Sequence, residues 1–351
     1  MSTRPLVERF LDQAEHCLPG SPLYHLLLTR AAEDLAAGGV VARVLAGHEV
    51  DPDGSVPALR LMGAVHRLVL DGRAAELSEY YPSAGGTRPP AQAWPAFRRL
   101  LEDRTATVRE LLERPVQTNE VGRSAALYGA LMVLTARAGR PIRLLEVGAS
   151  GGLNLRVDHF GYQVGADVLG DPASEVRLAR PWEGRPPAPA GARPRIVQRR
   201  GCDPAPLDPL TAEGRLTLTS YVWADWRERL DRLRAAIEVA GRVPARVDRA
   251  HADRWLSAAL RVPTPGLATV VWHSLVWQYV EPAERARARA VVLAAARRAT
   301  EDAPLAHIAL EPRRQPGPSW RFEVWLTMWP ALPHGVLLGV APGHGVPTTW
   351  L

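Results

Sequence analysis

The stretch "LLEVGASGGLNLR", Leu144 to Arg156, decides how the rest of the chain is read. It reads as an apolar strand, an acidic residue, a glycine-rich turn and the start of a helix. A short apolar run bounded by turn residues is the pattern of a buried parallel strand. Glycines in the following turn permit unusual φ angles and let a ligand approach the backbone with no Cβ in the way. In open α/β sheets, ligands bind beyond the carboxyl ends of the strands, where the strand order switches. The turn is therefore either a cofactor cradle or a tight connection in an α/β core. Phosphate readings weaken at once. The G-x-G-x-x-G spacing is absent, and a chain with no Lys cannot build a G-x-x-x-x-G-K-[ST] loop.

On the carboxyl side of this turn, apolar strands alternate with helices. "RIVQRRGCD", "ARVDRAHA", "GLATVVWHSLVW" and "LAHIALE" read as strands. "WRERLDRLRAAIEVAG", "DRWLSAALR" and "EPAERARARAVVLAAARRA" read as helices. "RFEVWLTMWP" and "GVLLGVAP" sit close together, as in an antiparallel hairpin. The Pro/Arg/Ala-rich run "ASEVRLARPWEGRPPAPAGARP" reads as an irregular surface loop. On the amino side the pattern is helical. "LVERFLDQAEHCL" places Leu6, Phe10, Leu11 and Ala14 on one stripe. "SPLYHLLLTRAAEDLAAGG" opens on Ser-Pro and closes on Gly-Gly, good start and stop signals. "NEVGRSAALYGALMVLTARAG" offers a helix capped at Asn119 or the preceding Thr118 and closing on Gly139. The expectation is an all-α domain over 1–124 and a mostly parallel α/β domain over 125–351, with helices on both sheet faces and a final antiparallel hairpin.

Composition bounds the function classes. At 351 residues and 46% hydrophobic, the chain can bury a large core. The net charge of +6 invites a nucleic-acid reading, but acidic residues are interspersed through most Arg-rich stretches, and a phosphate-binding surface gathers its cations on one face. Nucleic acid is not the expected partner. Cys17 and Cys202 form no C-x-x-C pair, so neither a zinc site nor a disulfide framework is indicated. The first twenty residues carry charges where a signal peptide has an apolar core, and no apolar run reaches the roughly 20 residues that span a bilayer. A cytoplasmic protein acting on a small molecule, away from membranes and without a metal, is expected.

At "LLEVGASGG" the chain resembles the first motif of class I S-adenosyl-L-methionine (SAM)-dependent methyltransferases: apolar strand, acidic residue, then G-x-G-x-G. It departs at the middle glycine, which is Ser150; ribosomal-RNA methyltransferases of the FtsJ type carry a similar "G-A-x-x-G-G" turn. Over nearly its full length the chain is similar to an uncharacterised bacterial domain-of-unknown-function family, through "SPLYHLLLTRAAEDLAAGG", "QTNEVGRSAAL", "EVGASGGLNLR", "RRGCDPAPLD", "SYVWADW" and "VVWHSLVWQYVEPAERAR".

The methyltransferase resemblance implies a Rossmann-like sheet and a set of roles. Glu146, Gly148, Ser150, Gly151, Gly152 and Asn154 would line the cofactor. An acidic residue closing the second strand would take the ribose hydroxyls. Asp203 fits that place, with Asp171 of "GDP" as its rival; either residue also suits a helix cap or a turn. Near the adenine, "VDRAHADRWL" offers His251 and Asp253. Asn119, Glu120 and Arg123 of "QTNEVGR" would reach the methionine end or a substrate carboxylate, with a capped helix start as the alternative.

The fourth strand ends at Trp272, His273 and Ser274. His273 would serve as a general base near neutral pH, with Tyr221 and Trp277 beside the acceptor. Trp223, Trp226, Trp272 and Trp277 are either core residues or aromatic faces toward the sulfonium; Asp225 would contact substrate or cap a helix. Besides a nucleic-acid methyltransferase, which rests on the charge and the FtsJ-like turn and predicts steeply salt-dependent RNA binding, three functions are weighed. The first is methyl transfer to a small molecule. The second is attack at another carbon beside the sulfur, including cyclisation of the aminobutyrate chain with release of methylthioadenosine. The third is a non-catalytic SAM-binding or scaffold protein.

Overall fold

The computed structural model describes residues 4–315 and 320–351. Its chain forms two compact units, Met1–Thr118 with Thr211–Asp231, and Asn119–Leu210 with Arg232–Leu351. The first unit is built from helices, among them Leu6–Cys17, Pro22–Ala36, Pro57–Leu70, Trp94–Asp103, Thr105–Leu112 and Ala212–Ser220. Pro22–Ala36 starts where its sequence says it should. The Ser21 Oγ accepts the Tyr24 amide at 3.1 Å, and Pro22 fills the first turn. A second cap comes from far along the chain. Asp225 accepts the Leu23 amide at 3.0 Å and bonds the Ser21 hydroxyl. Trp223 and Ala224 join the same core as Phe10, Leu27 and Leu61. "SYVWADW" is thus a capping and packing segment of the helical unit.

The second unit holds a nine-stranded sheet and a three-stranded one. The strands are β1 (Ile142–Val147), β2 (Gly161–Val164), β3 (Asp167–Gly170), β4 (Arg177–Leu178), β5 (Trp182–Glu183), β6 (Ile196–Asp203), β7 (Arg246–Arg249), β8 (Ala268–Ser274), β9 (Leu305–Arg314), β10 (Trp320–Trp329), β11 (Leu332–Ala341) and β12 (Thr348–Trp350). The large sheet runs β5-β12-β11-β10-β9-β8-β1-β6-β7, and the small one β3-β2-β4. From β7 to β9 every pairing is parallel; β9 to β12 form an antiparallel meander. The order switches at β1, whose neighbours are β6, the next long strand in the chain, and β8. That is the geometry in which α/β sheets place ligands.

The ladder fixes which residues share a face. Glu146 pairs with Trp272, and Trp272 with Ile308. The alternate residues Leu145, Val147, Val271 and Leu305 face the other way. They pack under helices Ala252–Ala259 and Pro282–Ala296 through Trp255, Leu256, Ala288 and Val292. Helix Ser124–Ala138, mostly buried, leads into β1.

The crossover after β1 corrects two expectations. Leu153–His159 is a 3₁₀ helix rather than the start of an α-helix. Leu153 through Val157 are all buried, the polar Asn154 and Arg156 included, so the segment presents no solvated face. Arg156 takes non-helical angles (φ −102°, ψ 21°). Its guanidinium spans the segment, bonding the Gly152 carbonyl at 2.6 Å and the Val243 carbonyl at 2.9 Å. The segment expected as loop contains two short strands, β4 and β5. Trp182 of β5 lies nearly parallel to the Tyr162 ring (4°) at 5.8 Å, and its indole N–H reaches the Ala125 carbonyl at 2.9 Å. Aromatic stacking therefore orders a Pro-rich stretch whose composition predicts none.

Candidate functional site

The site is built around the last residues of β1. Glu146 is 3% exposed and shares its sheet face with Gly201 and Trp272. Its Oε2 has no hydrogen-bond partner among the described residues, nor do the Trp272 Nε1 and the Asn154 Oδ1. Buried polar atoms are normally paired, so three orphans at one end of a sheet call for an explanation. Burial pushes the Glu146 carboxyl up to about 8, with Asp203 adding to the shift. Trp272, Arg156 and Arg123 oppose it. The Trp272 indole lies close enough to favour the carboxylate, yet makes no aligned bond to it.

The turn that follows is held from within. The Gly148 and Ala149 amides both donate to the Cys202 carbonyl, at 2.9 and 3.0 Å. The Ser150 amide donates to Asp203 Oδ2 at 2.9 Å, and the Gly152 amide to the Ala149 carbonyl at 2.6 Å. The Leu153 amide donates to Asn119 Oδ1 at 2.9 Å. Gly151 is buried inside the turn. With these amides engaged and only a short 3₁₀ segment behind them, the turn has no aligned row of N–H groups of the kind that cradles phosphate. Gly148 needs its missing side chain twice over. Its φ is +70°, and a Cβ there would lie 2.2 Å from the Val276 Cγ2 in the loop after β8. Ser150 adopts φ +52°, the left-handed conformation that glycine takes freely. The chain thus keeps the glycine geometry without the glycine.

Asp203 closes the turn onto β6, its Oδ1 taking the Ala205 amide at 2.9 Å. It lies on the Glu146 face and is 8% exposed. Asp171 lies elsewhere, after β3, where its Oδ1 accepts the Ala173 amide at 2.9 Å. Asn119, Glu120 and Arg123 gather at the same end as Glu146. Asn154 Nδ2 donates to the Glu120 carbonyl at 3.2 Å. Arg123 donates to the Ser274 carbonyl at 3.2 Å and the Gly343 carbonyl at 3.0 Å. Arg123 is thereby fixed at the end of β8, and its charge reaches Glu146.

The remaining residues singled out in the sequence go to other places. His251 is exposed at the start of helix Ala252–Ala259 and bonds Glu284 at 2.9 Å. Asp253 pairs with Arg287 at 2.6 Å. Tyr221 belongs to the helical unit, where its ring lies against Gly63 and its hydroxyl donates to the Pro115 carbonyl at 3.3 Å. His273 and Trp277 pack ring to ring at 4.5 Å, and His273 faces away from Glu146. Both His273 nitrogens are taken, Nδ1 by Glu311 Oε1 at 2.7 Å and Nε2 by His307 Nε2 at 2.8 Å. Glu311 and His307 were not singled out in the sequence. Their four-residue spacing, even on a strand, would have put them on one face. Among the described residues no helix is long and apolar enough to cross a membrane, and no group of three or more His, Cys, Asp or Glu is placed to hold a metal ion.

An α/β protein with a glycine turn and an orphaned carboxyl at the switch in strand order is the class these features define. Over residues 7–350 the chain matches the family model described as "Uncharacterized protein conserved in bacteria (DUF2332)", and it belongs to that family. No curated protein and no solved structure matches it.

Proposed function

We propose that the chain is a SAM-dependent transferase, with methyl transfer to a small molecule as its reaction. In this reading the sheet is of the Rossmann-like class I methyltransferase kind. The observation that carries it is Glu146. A buried carboxyl with a bare oxygen, held near pKa 8 by desolvation, is poorly served by an anion or an apolar group. It is well served by a cation, which would supply the missing partner and lower its pKa. SAM carries both an ammonium and a sulfonium, and supplies an electrophilic methyl group. Asp203, on the same face, would accept from the ribose hydroxyls with its remaining lone pairs. Arg123 and Asn119 would position the carboxylate end. The chain's contribution is alignment and exclusion of water.

Calorimetric titration with SAM in two buffers of different ionisation enthalpy tests this. The expected result is saturable binding that releases protons near pH 7, lost in Glu146→Gln. Absence of binding at millimolar SAM sinks the reading. The spent nucleoside then fixes the reaction: S-adenosylhomocysteine for methyl transfer, methylthioadenosine for attack on the aminobutyrate chain. A second reading, SAM binding without turnover, is favoured by the Val276 side chain seated on Gly148 and by the internally satisfied turn. Binding with no product supports it.

A further inference from the structure

Glu311, His273 and His307 form a line on the face of the sheet opposite Glu146. The ladder pairs Val271 with His307 and His273 with Ala309, so the two imidazoles and Glu311 project from the same side of β8 and β9. Glu311 Oε1 receives two donors, the His273 Nδ1 at 2.7 Å and the Val276 amide at 3.1 Å. An oxygen so placed acts as a carboxylate acceptor and fixes the His273 proton on Nδ1. The His273 Nε2 is then a lone pair, and at 2.8 Å it requires the proton of the facing nitrogen, His307 Nε2. That leaves the His307 Nδ1 as a lone pair with no partner among the described residues. His273 is 1% exposed, whereas His307 is half-buried.

We propose that His307 is a proton acceptor on the helix-covered face of the sheet, backed by His273 and Glu311 as positioning residues. The proton balance closes without any other reactant. A donor gives its proton to His307 Nδ1. The His307 Nε2 proton passes to His273 Nε2, breaking one N–H bond and forming another. His307 ends neutral, and the positive charge rests on His273 against the Glu311 carboxylate. The charged groups facing His307 account for the transfer. Burial, His273, Arg289 of helix Pro282–Ala296 and Arg313 of β9 all disfavour a charge on His307 itself. On β10 the residue opposite is Thr327, and Glu323, which pairs with Glu311 in the ladder, is already bonded to Arg321 and Trp325. Glu311, bonded to the Nδ1 of the inner imidazole, is the acidic group toward which the relayed proton runs. The relay stands independently of any ligand at Glu146.

The test is nitrogen-15 NMR of the full chain carrying labelled histidine, across pH 3 to 9. The expected spectrum shows His273 protonated on Nδ1 and His307 on Nε2, with both rings responding together to one proton. In Glu311→Gln the shared midpoint falls by at least one pH unit, a tenfold weaker proton affinity. A wild-type His307 protonated on Nδ1 overturns the proposal without any variant. So does a folded Glu311→Gln protein whose His307 titration stays within 0.2 unit of the wild type, the result expected of a pair that merely staples β8 to β9.

Discussion

Ser150 is a single residue in which sequence and geometry pull apart. At φ +52° a serine bears strain of about 1 kcal/mol that glycine would not. The bonds from its amide to Asp203 and from Leu207 to its carbonyl hold it there. Ser150→Gly is expected to fold normally and to gain up to about 1 kcal/mol in denaturant unfolding. Glu146 sets a pH dependence. Its folded pKa, about 8, lies above the unfolded value of 4.5, so the folded state binds more protons in that window and stability falls as pH rises through it. The slope reaches about 1.4 kcal/mol per pH unit. Glu146→Gln should flatten the loss between pH 5 and 8, read as melting temperature against pH. His66, fully buried in the helical unit, acts in the opposite sense. Desolvation lowers it from 6.5 to about 4, against the bonds to the Ser220 and Val222 carbonyls. The unfolded chain binds the extra proton, so stability falls as pH drops through that interval.

Among elements, the close approach of helix Ser124–Ala138 to β12 is sensitive to mutation. A Cβ on Gly129 would lie 2.1 Å from the Trp350 Cζ2. Gly129→Ala should cost about 1–3 kcal/mol as overpacking. Combined with Trp350→Ala it should add less than its own cost, because the clash is gone. The strands β1 and β8 were legible as short apolar runs between turn residues, and helix Pro22–Ala36 by its Ser-Pro start. The cap expected at Asn119 or Thr118 is not there, because Val121–Arg123 forms a 3₁₀ turn capped by Glu120 and the α-helix begins only at Ser124. The 3₁₀ crossover was not legible, since the Arg156 bonds to Gly152 and Val243 that replace an α-helix come from tertiary contact. Nor were β5 and β12, two and three residues long and too short to show an alternating pattern. At the site, Glu146, Asp203 and the glycines were found by their place after strands. Glu311 and His307 do not stand out in "LAHIALE", whose apolar content masks the two polar residues that share one face.

At the scale of the molecule, residues 211–231 are the informative segment. They belong to the helical unit, although the chain before and after them belongs to the sheet unit. A fragment ending at Thr118 lacks Trp223 and Ala224 of the core and Asp225, which caps Pro22–Ala36. That fragment is expected to unfold without a sharp transition. The same fragment with residues 211–231 appended through a flexible linker should unfold cooperatively, by circular dichroism against temperature. Equal cooperativity in both would show that the segment is dispensable.

The same interruption has a consequence during synthesis. The helical unit's first hundred or so residues leave the ribosome early, but the piece that completes its core is made only after the glycine turn and β6. At 5–20 residues per second the wait is on the order of ten seconds. For that interval Phe10, Leu27 and Leu61 have a core missing one wall, which makes the nascent chain, rather than the finished protein, the form most in need of a chaperone.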